Sequence, residues 1–245
     1  PFREGYWMEK IKKTLQNADM VLTVSKSNEK IIKKMEVDSV KVLPNAYSKD
    51  LFYFKNKEKC RSKLSFPHNR KIILTVGNLV GVKGYEYLIR AIEIVREGYP
   101  EIVCFHLGSG SLEIPLKNLV MDLDLGDHFK FLGRKPHNKL VDYFGAADFF
   151  VSSSLSEGNP TVMFESLGCG KPFIGTRVGG VPEIINSEEY GLLCEPKDEK
   201  ALAENIKKSL EKDWSNERIL EYSEKFRQEE VGKKLLSLYN QILDR

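Results

Sequence analysis

The chain has 245 residues, 41% hydrophobic and 30% charged, with 38 basic against 35 acidic side chains and a net charge of +3. This composition excludes a disordered or fibrous protein, and lysines interleaved with glutamates offer no basic face for nucleic acid. No run of 18 apolar residues is present, so no membrane-spanning helix is expected; four scattered cysteines without CxxC spacing are expected as reduced, buried thiols.

Residues 1–45 read as a helical stretch, a strand MVLTV (20–24), a helix over 26–35 and a strand SVKVLP (39–44). Two strands bury too little apolar surface to stand alone, so this segment is expected to lean on the main domain or to close a longer α/β domain. The start Pro1-Phe2-Arg3-Glu4, with neither an initiator methionine nor a signal-like core, points the same way. From Lys71 the pattern becomes regular. KIILTVG (71–77) is a buried-strand run and is followed by a helix over 85–97; EIVCFHLG (101–108) by a helix through Leu116–Leu123. HFKFLG (128–133) precedes a helix around Leu140–Ala147, and DFFVSSS (148–154) precedes a helix that opens near Pro160. FIGT (173–176), the turn RVGGVPEII, GLLC (191–194) and a helix capped by Asp198 complete the series. Residues 215–245 carry no strand signal; Phe226, Leu235, Leu236, Leu238, Tyr239 and Ile242 predict amphipathic helices packing back toward the N-terminal segment.

Strict strand–helix alternation predicts an α/β fold, a Rossmann-like doubly wound parallel sheet with a partial second α/β unit at the N-terminus. Three regions are expected: 1–48, 49–214 and 215–245. Glycines recur at the carboxyl ends of the strands: Gly77–Gly84, Gly108–Gly110, Gly133, Gly158 and Gly179–Gly180. Strand-to-helix turns use glycine anyway, but the series points to a ligand cleft at that edge. The GSGS turn lacks G-x-G-x-x-G spacing, so NAD binding has no support. The four histidines form no metal-ligand pattern, and His106, inside an apolar strand, reads as a core residue rather than a catalytic one.

SEGNPTVMFES (156–166) carries the densest chemistry. Asn159 is expected to cap the helix and Pro160 to occupy its first position. Thr161, Val162 and Met163 then offer free N–H groups to an anion, and phosphate fits. Glu157 and Glu165 would flank that phosphate and accept from hydroxyls on either side, as in a nucleotide-sugar; ordinary helix-start acids are the other reading. Lys83, between the glycines of GNLVGVKG, either meets the diphosphate or is a solvated lysine.

GNLVGVKGYEYLIRAI, FLGRKPHNKLVDYFGAADFFVSSSLSEGNPTVMFESLGCGKPFIGTRVGGVPEII and YGLLCEPKDEKALAENI together resemble the donor domain of retaining GT-B glycosyltransferases of the family-4 group, whose signature Glu157-x7-Glu165 matches. ADMVLTVSKSNEKIIKKM and VKVLPNAYSKDLF are similar to the end of that family's N-terminal domain and its hinge. The resemblance implies that Glu157 and Lys83 act catalytically. Glu157 would contact donor-sugar hydroxyls near the reacting carbon, and Lys83 would neutralise the leaving diphosphate. Glu165 would bind the ribose diol. Gly158, Asn159, Pro160, Thr161 and Val162 would hold the diphosphate, backbone around Arg134 and Lys135 the base, and Gly77, Asn78, Gly108 and Gly110 would line the cleft. The implied reaction moves a sugar from a nucleoside diphosphate to a sugar, lipid or polysaccharide acceptor, with retention and without a metal or other cofactor. The implied place is the cytoplasm, at the inner membrane face if the acceptor domain makes a peripheral contact.

Asn78 departs from the arginine the family often places there, and Asn45-Ala46 from its Asn-Gly. The acceptor domain, with its histidine, is mostly missing, so the chain is expected to bind donor alone but to transfer slowly or not at all. A GT-B nucleotide-sugar epimerase and a non-catalytic nucleotide-sugar-binding module are the alternatives. The base, among UDP, GDP and ADP, stays open.

Overall fold

The computed structural model describes residues 2–244, with side chains from residue 7. Its strands are β1 (Val21–Thr23), β2 (Val40–Val42), β3 (Lys71–Val76), β4 (Ile102–Leu107), β5 (Phe129–Phe131), β6 (Phe149–Ser152), β7 (Phe173–Thr176) and β8 (Gly191–Cys194). The helices are α1 (Phe2–Gln16), α2 (Lys26–Lys33), α3 (Lys57–Leu64), α4 (Tyr85–Arg96), α5 (Glu113–Asp122) and α6 (Leu140–Ala146). They continue with α7 (Thr161–Gly168), α8 (Val181–Ile184), α9 (Glu199–Glu211), α10 (Asn216–Ser223) and α11 (Gln228–Leu243).

β3 to β8 form one sheet in the order β5-β4-β3-β6-β7-β8, with every pairing parallel. Both faces are covered, which is why these strands are unbroken apolar runs. Ile72 and Leu74 join a core with Phe144, Phe164 and Ile219, from α6, α7 and α10. Ile73 faces the other way, into a core with Leu88, Leu116 and Ile206, from α4, α5 and α9. The fold class read from the sequence is the one observed. All four cysteines are buried free thiols, and no described helix is long and apolar enough to cross a membrane.

Two helices depart from the sequence reading. α3 lies in a stretch given no element: its Asn56 cap accepts from Lys59 N, but only Cys60 and Arg61 are buried, so no apolar stripe announces it. α8 is a single helical turn, with a proline in its first turn, where only a turn was expected.

β1 and β2 pair in parallel as a separate two-stranded sheet over Val21, Val37 and Val40. This N-terminal unit is tied to the main sheet through Tyr47, whose hydroxyl meets Ser223 Oγ at 2.8 Å. A Cβ at Gly168 would lie 2.3 Å from the Tyr47 ring, so α7 can approach only because that residue is glycine. Tyr47 N donates to Phe226 O (3.1 Å) and Tyr47 O accepts from Gln228 N (3.0 Å), so two distant passes of the chain run side by side. α10 packs on α7, and Phe226 meets Phe164 edge-on at 4.9 Å. Along α11, Val231 is buried while Leu236 and Tyr239 stay exposed.

Candidate functional site

Strand order reverses direction between β3 and β6: β4 and β5 build outward on one side, β7 and β8 on the other. Outside the carboxyl ends of such strands the flanking loops diverge and leave a crevice. Lys83 and Glu157 lie on the two loops that leave β3 and β6. Lys83 Nζ is 2.6 Å from Glu157 Oε1, and Ser154 Oγ donates to the same oxygen at 2.6 Å. The loops are stitched by Leu155 N to Val82 O (2.7 Å) and by Ser153 Oγ to Lys83 O (3.0 Å). Gly84 makes this possible. Its φ is +59°, and a Cβ there would stand 2.4 Å from Ser153 O. Lys83 is thus paired rather than solvated.

The cap expectation fails at Asn159. Pro160, extended at φ −67° and ψ 121°, stands at the cap of α7, and no side chain caps that helix. The physical reason is a competing claim on Asn159: its Nδ2 donates to Val24 O (2.8 Å), and its own carbonyl accepts from Asn45 Nδ2 (2.6 Å). Asn159 Oδ1 is buried without a partner. The start of α7 therefore presents amides that no side chain has claimed. The first turn of α7 also holds no acid, so the reading of Glu157 and Glu165 as helix-start acids does not hold.

Glu165 sits on the buried face of α7. Its Oε1 accepts from Nε2 of His137 at 2.7 Å. Burial pushes its pKa up, with the His137 hydrogen bond and charge pulling against that rise. His137 is the residue sequence reading missed. It lies just before α6, beyond the Gly133–Pro136 loop, and no local pattern links it to a glutamate on α7. His137 also packs edge-on against the buried Phe52 at 5.0 Å, which fixes the ring.

Gly77, Asn78, Gly108, Arg134 and Lys135 line one cavity of about 120 Å³ with Val76, Leu107 and Leu140. Five expected positions from three loops thus converge. Gly108 must be glycine, since a Cβ would lie 1.9 Å from Gly77 O. Gly110 stands apart from this cavity and packs on the backbone of Leu79, 2.4 Å from its oxygen. Gly158 borders the N-terminal unit, with an added Cβ 3.3 Å from Val24 Cγ2. His106 is fully buried between Tyr85 and Phe131 with neither ring nitrogen bonded; burial lowers its pKa to about 4. It is a neutral core histidine, as read from the sequence.

Known proteins share this fold and stretches of this sequence. A Bacillus subtilis (strain 168) protein, named as a proposed teichuronic acid biosynthesis glycosyltransferase, TuaC, is 33% identical over 197 residues, 80% of this chain and 48% of its own. D-inositol 3-phosphate glycosyltransferase of Corynebacterium urealyticum is 29% identical over 196 residues, 76% of this chain and 46% of its own. The chain thus spans about half the length of these relatives. Sucrose-phosphate synthase from Thermosynechococcus elongatus superposes with a TM-score of 0.82 at 27% identity, over 95% of this chain and 60% of its own. Anabaena Alr3699/HepE, solved in complex with UDP, shares the fold at a TM-score of 0.82 and 20% identity, over 91% of this chain and 64% of its own. The model of the family described as glycosyl transferases group 1 matches residues 56–226, and the chain belongs to that family.

Proposed function

We propose that this chain holds a nucleoside-diphosphate sugar at the carboxyl edge of its sheet and supplies the donor half of a retaining glycosyltransferase. The observation that carries this reading is the Lys83–Glu157 pair at the crevice, beside the uncapped start of α7. Anabaena HepE, which shares the fold, was solved in complex with UDP, and that supports a nucleoside diphosphate as the ligand here.

The residues divide the ligand among them. The amides of Thr161 and Val162, at the positive end of α7, suit the diphosphate. Glu165, acceptor-only when ionised and already oriented by His137, suits the ribose diol. The small cavity beside Arg134 and Lys135 would take the base. Lys83 would turn from Glu157 toward the phosphate, leaving Glu157 to accept from hydroxyls of the sugar. When the anomeric carbon–oxygen bond breaks, its electron pair goes to the phosphate oxygen, and Lys83 would stabilise that growing charge. The departing phosphate can take the proton of an acceptor hydroxyl attacking from the same face, which retains configuration. Because a lysine supplies the cation, neither a metal nor another cofactor is needed. Asn78 donates hydrogen bonds without charge, so Lys83 carries the charge neutralisation on this loop.

The acceptor, a sugar, lipid or polysaccharide, would be bound by a further domain on the cytoplasmic side. This chain alone would then bind donor and turn it over slowly or not at all. No observation favours the epimerase or the non-catalytic module. Titration calorimetry with UDP, GDP and ADP, in the presence of a chelator, tests the donor reading. Binding of one of them at micromolar to low-millimolar strength is expected; failure of all three to bind would contradict it.

A further inference from the structure

α2 begins in the N-terminal unit, but most of its first-turn amides are satisfied from two sources. Ser25 Oγ accepts from Asn28 N at 3.1 Å, a local cap. Glu183, on α8 of the main unit, accepts the other two: Oε2 from Lys26 N at 2.9 Å and Oε1 from Ser27 N at 3.1 Å. Both oxygens of one carboxylate thus clasp the positive end of a helix 157 residues away in sequence.

The segment that carries Glu183 is wedged against the loop before α7. Gly180 N donates to Gly158 O at 2.8 Å. A Cβ at Gly179 would be 1.7 Å from Glu157 O, and one at Gly180 would be 2.7 Å from Ser25 Cβ. No side chain fits between the two units here. On the other flank, Asn159 is gripped by Val24 and Asn45, both outside the main sheet. The loop 157–160 is therefore shaped on one side by the 179–180 turn of its own unit and on the other by the docked N-terminal unit.

We infer that Glu183 is a positioning residue: by clasping the start of α2 it locks the N-terminal unit onto the loop 157–160 and so sets the direction of the amides that open α7. This rests on the donor-site reading, since those amides are the ones assigned to the diphosphate. When the clasp opens, the loop loses Asn159's two external partners and keeps only the Gly180–Gly158 bond of its own unit. The binding geometry is thus a property of the docked pair of units.

Glu183→Gln tests this, because amide for carboxylate keeps the size and removes the charge. Two readouts are taken on the full chain: hydrogen exchange by residue, and affinity for a nucleoside diphosphate against the matching monophosphate. Faster exchange at 26–28 and at 157–162 is expected, with β3 and β4 unchanged. The diphosphate should bind about three- to tenfold more weakly, the monophosphate much less so, and Glu183→Asp should recover part of the loss. A general loss of stability would not separate the two ligands. Gly180→Ala, whose Cβ would stand 2.7 Å from both Ser25 Cβ and Gly158 O, leaves the carboxylate untouched and should reproduce the pattern. Unchanged exchange at 157–162, or faster exchange there with unchanged diphosphate affinity, overturns the inference. If the wild-type chain binds no diphosphate yet the exchange pattern appears, the clasp stands and the donor reading falls.

Discussion

At their amino ends, β3 and β6 meet charges that the protein's own backbone has already satisfied; at their carboxyl ends they meet charges held by other side chains. Beneath the sheet, the buried Arg61 donates to the carbonyls of Ala146, His68 and Arg70 and to Asp148 Oδ2, which also accepts from Ile72 N. Lys171, equally buried, donates to Ala147 O at 2.8 Å. Above the sheet, Lys83 is paired with Glu157, Glu165 with His137, and the first amides of α7 lack a cap. A charge bound to backbone carbonyls fixes structure, because removing it strands buried acceptors. A charge bound to another side chain, rather than to the backbone, can change partner when a ligand arrives. The lower edge holds the fold and the upper edge is built to exchange.

Substitutions at the two edges should therefore fail in different assays. Arg61→Met is expected to have the largest effect, a loss of about 3 kcal/mol or more in urea unfolding, because three buried carbonyls lose their donor and Asp148 loses its buried cation. Diphosphate affinity of the folded fraction should not change. Lys171 comes next. Burial lowers its pKa from 10.5 to about 8, so the unfolded chain binds more protons between those values and stability rises with pH across that window. The wild type should gain up to about 3 kcal/mol relative to Lys171→Met as pH goes from 8 to 10.5, measured by thermal melts at each pH.

At the upper edge the sign reverses. Glu165→Ala should weaken nucleoside diphosphate binding by about tenfold or more, since a carboxylate accepting from two hydroxyls is lost. Because burial raises the Glu165 pKa, the folded chain holds that proton to higher pH than the unfolded one, and ionisation costs stability as pH rises through the window above 4.5. Glu165→Gln should accordingly melt no lower, and somewhat higher, than wild type at neutral pH while binding less. Lys83→Ala is the smallest effect expected, several-fold in affinity and little in stability, because Glu157 keeps Ser154 and a partly wet position.

Much of this was legible in the sequence, for a physical reason. Parallel strands buried on both faces are continuous apolar runs, so β3, β4 and β6 announce themselves, and Asp198 caps α9 by accepting from Ala201 N as its position suggests. The loop glycines were legible because close backbone approach excludes any other residue at Gly84 and Gly108. Contacts between distant side chains were not. His137 and Glu165 are 28 residues apart, and Asn159 and Val24 are 135 apart. Local rules assign Asn159 to a helix cap because they see only the adjacent helix, whereas the folded chain offers it Val24 and Asn45 instead. α3 escaped for a related reason: it is held by the Arg61–Asp148 ion pair and the carbonyls that Arg61 bonds, not by an apolar stripe.

Hydrogen exchange of the full chain with and without the diphosphate that calorimetry selects is the most direct measurement of the two-edge account. Protection is expected at 77–84, 133–137 and 157–165, with 57–61, 146–148 and 171 unchanged. Protection at those amino-edge segments, with the carboxyl-edge loops left as they were, would contradict it.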